Sequence, residues 1–287
     1  MPALGDILRQ THATLAEADI PDARLEAELL LTHLLGIPKH RLYAFQEQEV
    51  SEQAIDLLEQ SVKRRLTREP LAYILGLKEF YGIALEVGPD VLIPRPESEY
   101  LVEQALFASM MRAGESDWVI ADAGTGSGAL AISLAIHLPM ARIYATENSE
   151  RAAAVAARNI QRHNVADRIT LIQGNLLDDL PEEADLILAN LPYIRTGAMA
   201  DLQPEVLWEP REALDGGEDG LDVIRKLLHQ APGRIKDSGM LLLEIDPHQA
   251  PLLEEMGRSL FQGAQVSVQQ DLAGLDRYLI VDTSSSS

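Results

Sequence analysis

Along the first 75 residues, apolar positions recur at helical spacing. Leu4, Ile7, Leu8 and Leu15 form one set, Leu25, Leu29, Leu30 and Leu34 a second, and Ile55, Leu58, Val62 and Leu66 a third. Asp22 behind Pro21, and Ser51 followed by Glu52, read as helix starts, and Gly36 with Pro38 reads as a stop. This predicts a small helical bundle over 1–75. Glu79 to Val87 then alternates weakly, suggesting a β-hairpin that ends near Gly88-Pro89, within a linker over 76–96. Beyond it the period changes. Short apolar runs at Trp118–Ala121, Arg142–Thr146, Ile169–Gln173, Asp185–Ala189 and Met240–Ile245 read as strands. Helical patterns separate most of them, including Ala129–His137, as in a parallel sheet covered on both faces. Ala264–Val268 and Arg277–Val281 have only a short connection, so they should pair antiparallel at one edge. The expected fold is α/β: a seven-stranded sheet domain over 97–283 behind the helical bundle, with a low-complexity, disordered tail at 284–287.

Composition narrows the class. The chain has 287 residues, 46% of them hydrophobic, which suffices for a core. The longest apolar stretch, Ala129 to Ile136, contains Ser133 and is too short to span a bilayer. No basic region followed by an apolar one marks the amino terminus. The absence of cysteine excludes disulfides, Cys-ligated zinc and iron–sulfur clusters. These features predict a cytoplasmic protein with no membrane partner. The net charge is −21, concentrated in residues 81–287, which carry 15 basic against 32 acidic residues. Such a field repels phosphate backbones, so no direct nucleic-acid partner is expected. Lys63, Arg64, Arg65 and Arg68 form the one basic cluster, read as the solvated end of a helix.

Two segments carry chemistry. Asp122-Ala123-Gly124-Thr125-Gly126-Ser127-Gly128 follows the first predicted strand of the sheet and precedes a helix, where glycines let the backbone turn sharply and approach a ligand. Glu147 ends the next strand, placed to accept the hydroxyl hydrogens of a ribose. The loop also fits a dinucleotide fingerprint through Gly124, Gly126 and Ala129, so by itself it leaves the cofactor open; the Asp-x-Gly-x-Gly-x-Gly form is the usual one in S-adenosylmethionine enzymes. Asn190-Leu191-Pro192-Tyr193 follows the apolar strand at the sheet's carboxyl edge. Pro192 forces Leu191 into an extended conformation, so that the Leu191 carbonyl and the Asn190 side-chain oxygen offer two acceptors to a planar NH2 group. Tyr193 can place its ring against the substrate or a methylsulfonium. Pro94 and Pro96 hold Arg95 extended before a helix whose first turn carries Glu97 and Glu99; a plain loop residue and a site residue both remain open for Arg95. The seven histidines form no H-x-x-x-H pair, so no metal is expected.

Taken together, these segments resemble the protein-(glutamine-N5) methyltransferases, and within them the release-factor glutamine methyltransferases. The match runs through Glu69-Pro70-Leu71-Ala72-Tyr73-Ile74-Leu75-Gly76, Glu79-Phe80-Tyr81-Gly82 and Val91 to Glu99. It continues through the glycine loop, Asn190 to Tyr193, Glu209-Pro210-Arg211 and Gly216 to Leu221. The resemblance implies a seven-stranded, Rossmann-like methyltransferase domain behind a helical substrate-recognition domain. It implies S-adenosyl-L-methionine as cofactor, S-adenosyl-L-homocysteine as product, and as acceptor the glutamine of the Gly-Gly-Gln motif in class I peptide-chain release factors. By matching position, Gly124, Thr125, Gly126, Ser127 and Gly128 would bind the methionine part, Glu147 the ribose, and Asn175 and Leu176 would lie beside the adenine. Asn190, Leu191, Pro192 and Tyr193 would orient the glutamine amide, with Arg95 and Glu97 lining the same site. Three positions depart from the family pattern: Leu191 stands where Pro is usual, Asn175 where Asp is commoner, and Asp246 where Gly is usual. Neighbouring activities share parts of the pattern. Glutamine methylation of a ribosomal protein would use the same loops, and adenine-N6 methylation of rRNA also uses Asn-Leu-Pro-Tyr but is opposed by the acidity. A nicotinamide oxidoreductase gives Asn190 to Tyr193 no task.

Overall fold

In the first 76 residues the helical spacing closes into α1 (Leu4–Glu17), α2 (Ala23–Leu35), α3 (Lys39–Ala44), α4 (Glu52–Leu66) and α5 (Leu71–Leu75). Leu4, Ile7, Leu15, Leu30, Leu31, Leu42 and Leu58 meet in one cluster, as the spacing in α1 marks. In α2 the buried face is instead Ala27, Leu30 and Leu31, while Leu25 and Leu29 of the expected set are exposed, as is Leu66 of α4. The Ser51 hydroxyl accepts from the Ala54 amide at 3.3 Å and caps α4. Asp22 precedes α2 but caps nothing with its side chain, because its backbone is left-handed at φ 54°.

The computed structural model describes residues 2–111 and 117–284; of the tail expected at 284–287, residues 285–287 lie outside the described residues. The chain divides into two compact units. One comprises residues 1–76 with 203–208, the other 77–202 with 209–287. Residues 203–208, expected in the second domain, thus belong to the helical unit, and an ion cluster holds them there. Arg65 is 3% exposed, and its guanidinium donates to Glu26 Oε2 at 2.6 Å and to Glu205 Oε1 at 3.0 Å. Arg68 reaches the same Glu205 oxygen at 3.2 Å. The basic cluster is therefore not a solvated helix end throughout. Arg65, two residues beyond exposed Lys63, lies on the opposite side of α4 and turns inward, where two carboxylates compensate its lost hydration.

The second unit opens with an antiparallel hairpin, β1 (Leu77–Phe80) and β2 (Ile83–Glu86), so the hairpin belongs to this unit and does not form a separate linker. Pro96 opens a single 3-10 turn, Pro96–Ser98, that runs into α6 (Glu99–Met111). Then β3 (Val119–Ala123), α7 (Ala129–His137), β4 (Arg142–Glu147), α8 (Glu150–Arg162), β5 (Ile169–Gln173) and β6 (Ala184–Asn190) alternate. They are followed by α9 (Asp222–Gln230), β7 (Ile235–Glu244), α10 (Ala250–Leu260), β8 (Gln265–Gln270) and β9 (Asp276–Asp282). The seven strands lie in the order β5-β4-β3-β6-β7-β9-β8, parallel from β5 to β7, with β9 and β8 antiparallel at the edge. Helices α6, α7 and α8 bury one face of the sheet, and α9 and α10 the other. Strand β7 begins five residues before its expected start, because Lys236, Asp237 and Ser238 are polar and give no apolar signal; its pairing with β6 is irregular there.

The order places the carboxyl ends of β3, β4, β6 and β7 along one edge, the position where open α/β sheets bind ligands. Among the described residues no helix is long and apolar enough to cross a membrane.

Arg65→Ala should destabilise the protein by about 2–4 kcal/mol, since it leaves Glu26 and Glu205 without their shared buried cation. Urea denaturation followed by circular dichroism measures this; a change below about 0.5 kcal/mol would remove the cluster as the anchor of residues 203–208.

Candidate active site

Glycine loop and acceptor loop are joined by the pairing of β3 with β6, whose last register pair is Asp122 with Leu188. Two residues past Asp122 and three past Leu188, Gly124 and Leu191 touch. A Cβ added at Gly124, whose φ is +74°, would lie 2.8 Å from Leu191 Cδ2. Only glycine satisfies both the backbone angle and the close approach. Leu191 is buried, so the residue that departs from the family pattern packs into the sheet face that also holds Leu176, Leu177 and Ile187.

Asp122, at the end of β3, holds the loop from below. Its Oδ2 accepts from the Thr125 hydroxyl at 2.6 Å and from the Ala131 amide at 3.1 Å. Full burial pushes its carboxyl up to about 6 despite those two donors, with Glu147 adding repulsion. Glu147 stands at the end of β4. One carboxylate oxygen accepts from the Gly126 amide at 2.9 Å and the other from the Ser149 amide at 2.9 Å. Each oxygen keeps a further lone pair, so the held carboxylate can still accept two hydroxyl hydrogens of a ribose. A Cβ placed on Gly126 would meet nothing, so the loop leaves open space there for a ligand.

One cavity collects most of the expected residues. Its wall includes Arg95, Gly124 to Ser127, Glu147, Asn190, Leu191 and Pro192, together with Phe80 and Ser98. Asp90, Asp122, Glu147 and Glu212 contribute carboxylates, against the single guanidinium of Arg95. That guanidinium is itself engaged, donating to Glu209 Oε1 at 2.6 Å, while Glu209 Oε2 accepts the Ile93 amide at 2.9 Å. Glu209 thus fixes Arg95 in this wall.

Other expected residues stand apart from that wall. Gly128 is the left-handed residue that starts α7. Glu97 is exposed at the surface. Asn175 is also exposed and donates to Asp178 at 3.3 Å, while Leu176 is buried in the sheet core with φ +56°. Tyr193 turns its hydroxyl away toward Glu244 Oε1, at 3.4 Å. Burial, and the neighbouring Glu244 carboxylate, push the Tyr193 phenol well above its ordinary value.

Ser98, part of the match from Val91 to Glu99, and Glu244, within the predicted strand Met240–Ile245, enter the site by contact. Ser98 is 5% exposed and accepts from Asn190 Nδ2 at 2.7 Å. Its hydroxyl donates to Glu244 Oε2 at 2.6 Å, and Glu244, at the end of β7, is the register partner of Asn190. No local signal marks Ser98. Glu244 could have been noticed as a carboxylate ending an apolar strand at the ligand edge.

Behind the acceptor loop, Gln249 Nε2 donates to the Tyr193 carbonyl at 3.0 Å and to the Gly220 carbonyl at 3.1 Å. A Cβ at Gly220 would lie 2.3 Å from that same Tyr193 oxygen, which explains a glycine there. Asp246 occupies φ −76°, an ordinary extended angle, and its carboxylate accepts the His248 amide at 2.9 Å. No glycine is needed for this turn.

The fold and this edge define a methyltransferase of the α/β, S-adenosylmethionine-dependent class. The N-terminal domain of human METTL16 in complex with SAH shares the architecture at a TM-score of 0.53, with 16% identity over 77% of this chain and 83% of that one. Residues 6–76 match the PrmC N-terminal domain, and residues 103–218 the methyltransferase small domain. The release factor glutamine methyltransferase of Moorella thermoacetica is 41% identical, covering 96% of this chain and 95% of that protein. The human MTRF1L release factor glutamine methyltransferase is 36% identical, covering 91% and 81%. The chain belongs to the release factor glutamine methyltransferase family.

Two outcomes are expected. Asp122 has a raised carboxyl, so the folded protein binds its proton more tightly than the unfolded chain does. Its contribution to stability is complete below about pH 4 and lost as pH rises through about 6. Relative to Asp122→Asn, the wild type should lose about 2–4 kcal/mol over that interval, read from urea unfolding at each pH; parallel pH curves for the two proteins would contradict this. Leu191→Pro should leave turnover nearly unchanged and lower stability by about 1 kcal/mol, because Asn190 is already extended as the last residue of β6 and only packing against Gly124 is lost. Turnover assays and thermal melts check it.

Proposed function

We propose that the protein transfers the methyl group of S-adenosyl-L-methionine to the side-chain amide nitrogen of the glutamine in the Gly-Gly-Gln motif of class I peptide-chain release factors, leaving S-adenosyl-L-homocysteine. The observation that carries this reading is that Asn190, Leu191 and Pro192 share one cavity wall with the glycine loop and Glu147. A donor and a planar NH2 group can therefore meet there. The family relationship supports release factors as the substrate class, and a cytoplasmic site of action follows from that substrate.

S-adenosylmethionine would supply an activated methyl on sulfur. Gly124 to Ser127 and Glu147 would hold it, with Asn175 and Leu176 following β5 on the adenine side. The chain's own contribution is orientation. An amide nitrogen is a weak nucleophile because its lone pair is delocalised into the carbonyl. The Asn190 side-chain oxygen and the Leu191 carbonyl would each accept one amide hydrogen, holding the nitrogen in line and favouring the positive charge that develops on it. The transfer would form a nitrogen–carbon bond as the sulfur–carbon bond breaks, and one amide proton would pass to solvent. Pro192 keeps the Leu191 backbone extended, Tyr193 borders the acceptor, and Arg95, steadied by Glu209, lines the entrance side. Glu97, on the surface, would contact the protein substrate.

The test is methyl transfer from labelled S-adenosylmethionine to a purified class I release factor, beside its Gln→Ala variant in Gly-Gly-Gln. Label on the wild-type factor alone is expected; label on neither would overturn the acceptor assignment. Asn190→Ala should lower turnover by about 10²–10³ while cofactor affinity, measured calorimetrically, stays nearly constant. Near-normal turnover would remove Asn190 from the mechanism.

A further inference from the structure

Asn190 faces a problem common to every asparagine that must accept rather than donate. Its side-chain oxygen and NH2 group have nearly the same shape, so packing alone does not decide which of them faces a ligand. The reversed amide would point N–H at the N–H of the acceptor and orient nothing.

We propose that Ser98 and Glu244 are positioning residues that fix the direction of the Asn190 amide. The argument rests on the acceptor reading above and on the order of donors. Glu244 is 1% exposed at the end of β7, and its ionised carboxylate can only accept. It takes the Ser98 hydroxyl proton at Oε2, 2.6 Å away. Ser98 has one proton, and with that proton committed its oxygen is left as an acceptor. The remaining lone pair takes a hydrogen of Asn190 Nδ2 at 2.7 Å. The NH2 end of Asn190 is thereby tied back, and its oxygen is left for the substrate. Glu244 also accepts the Tyr193 hydroxyl at Oε1, so one carboxylate orders both ends of the acceptor tetrapeptide. Ser98 comes from the turn before α6, Glu244 from β7 and Asn190 from β6, so three separate elements meet at this chain of hydrogen bonds.

The same logic gives a sign for pH. A protonated Glu244 can donate to Ser98, which frees Ser98 to donate to the Asn190 oxygen and reverse the amide. Turnover should therefore fall as pH drops through the Glu244 ionisation. Burial raises that ionisation and Glu97 adds to it, while the Ser98 and Tyr193 hydroxyls and the Arg277 guanidinium oppose it; Tyr278 also lies within its field. Asp122 titrates as well, but it acts on the glycine loop, so its effect is separated by working at saturating cofactor.

The experiment compares Ser98→Ala, Ser98→Thr and Glu244→Gln with wild type, using a release factor as acceptor. Ser98→Ala should lower kcat by about 10–100-fold with KM for the release factor and cofactor affinity nearly unchanged, because only orientation during the reaction is lost. Ser98→Thr keeps the hydroxyl and should restore kcat to within about threefold of wild type. Glu244→Gln, which can donate as well as accept, should show an intermediate loss and no acid limb in kcat. A second readout needs no turnover. The Asn190 side-chain NH2 resonance, identified by its absence in Asn190→Ala, should exchange slowly in wild type and Ser98→Thr and fast in Ser98→Ala. Equal kcat in wild type and Ser98→Ala, or equal amide exchange, would overturn the proposal. Failure of the wild type to label any release factor would instead strike the acceptor reading, and the exchange measurement would still decide the role of Ser98.

Discussion

The close approach of the glycine loop to the loop after β6, which a left-handed Gly124 permits, is the constraint on which the site depends. Parallel pairing of β3 with β6 commits the two loops to neighbouring positions, and the absence of a side chain at residue 124 lets them close to van der Waals contact. A larger residue there would strain the left-handed backbone and press on the Leu191 side chain. The glycine loop and the loop from Asn190 to Tyr193 are thus one packed unit. Under the proposed function, much of the alignment that an in-line transfer requires would be present before any ligand arrives.

Below that contact, the site is held by polar groups that clamp its carboxylates in place. Asp122 clamps the glycine loop through a hydroxyl and an amide, and Glu147 is clamped by two amides in turn. Gln249 joins the Tyr193 and Gly220 carbonyls from behind. These partners come from distant parts of the sequence, so the geometry survives only if the whole sheet is in register. A site assembled in this way is rigid, because no single loop can move without breaking bonds to another element.

The fold was readable in the sequence where one signal dominates. The parallel strands are nearly continuous apolar runs and the helices between them are periodic, so their order emerges directly. The first half of β7 was not readable, because Lys236 to Ser238 are polar and give no apolar signal, and the pairing with β6 is irregular there. Nor was the allegiance of residues 203–208, since an ion pair between Arg65 and Glu205 joins positions 140 residues apart and leaves no local trace. The glycine loop, Glu147 and Asn190 to Pro192 were legible because backbone freedom, a strand-end carboxylate and a proline each have a local meaning. Ser98 was hidden, since a serine after proline and glutamate is an ordinary helix start until Glu244, 146 residues away, is folded against it.

The cavity wall has four carboxylates and one guanidinium, and that guanidinium is already neutralised by Glu209. Such a wall acts as an electrostatic sieve. It disfavours nucleotides carrying phosphates and would draw in a sulfonium by its positive charge. In the proposed reaction, methyl transfer would convert that cation into a neutral thioether, so the attraction that loads the donor would disappear as the product forms. The same acidity that disfavours nucleic acid would thus act as a built-in discharge, helping the spent cofactor leave and make room for the next.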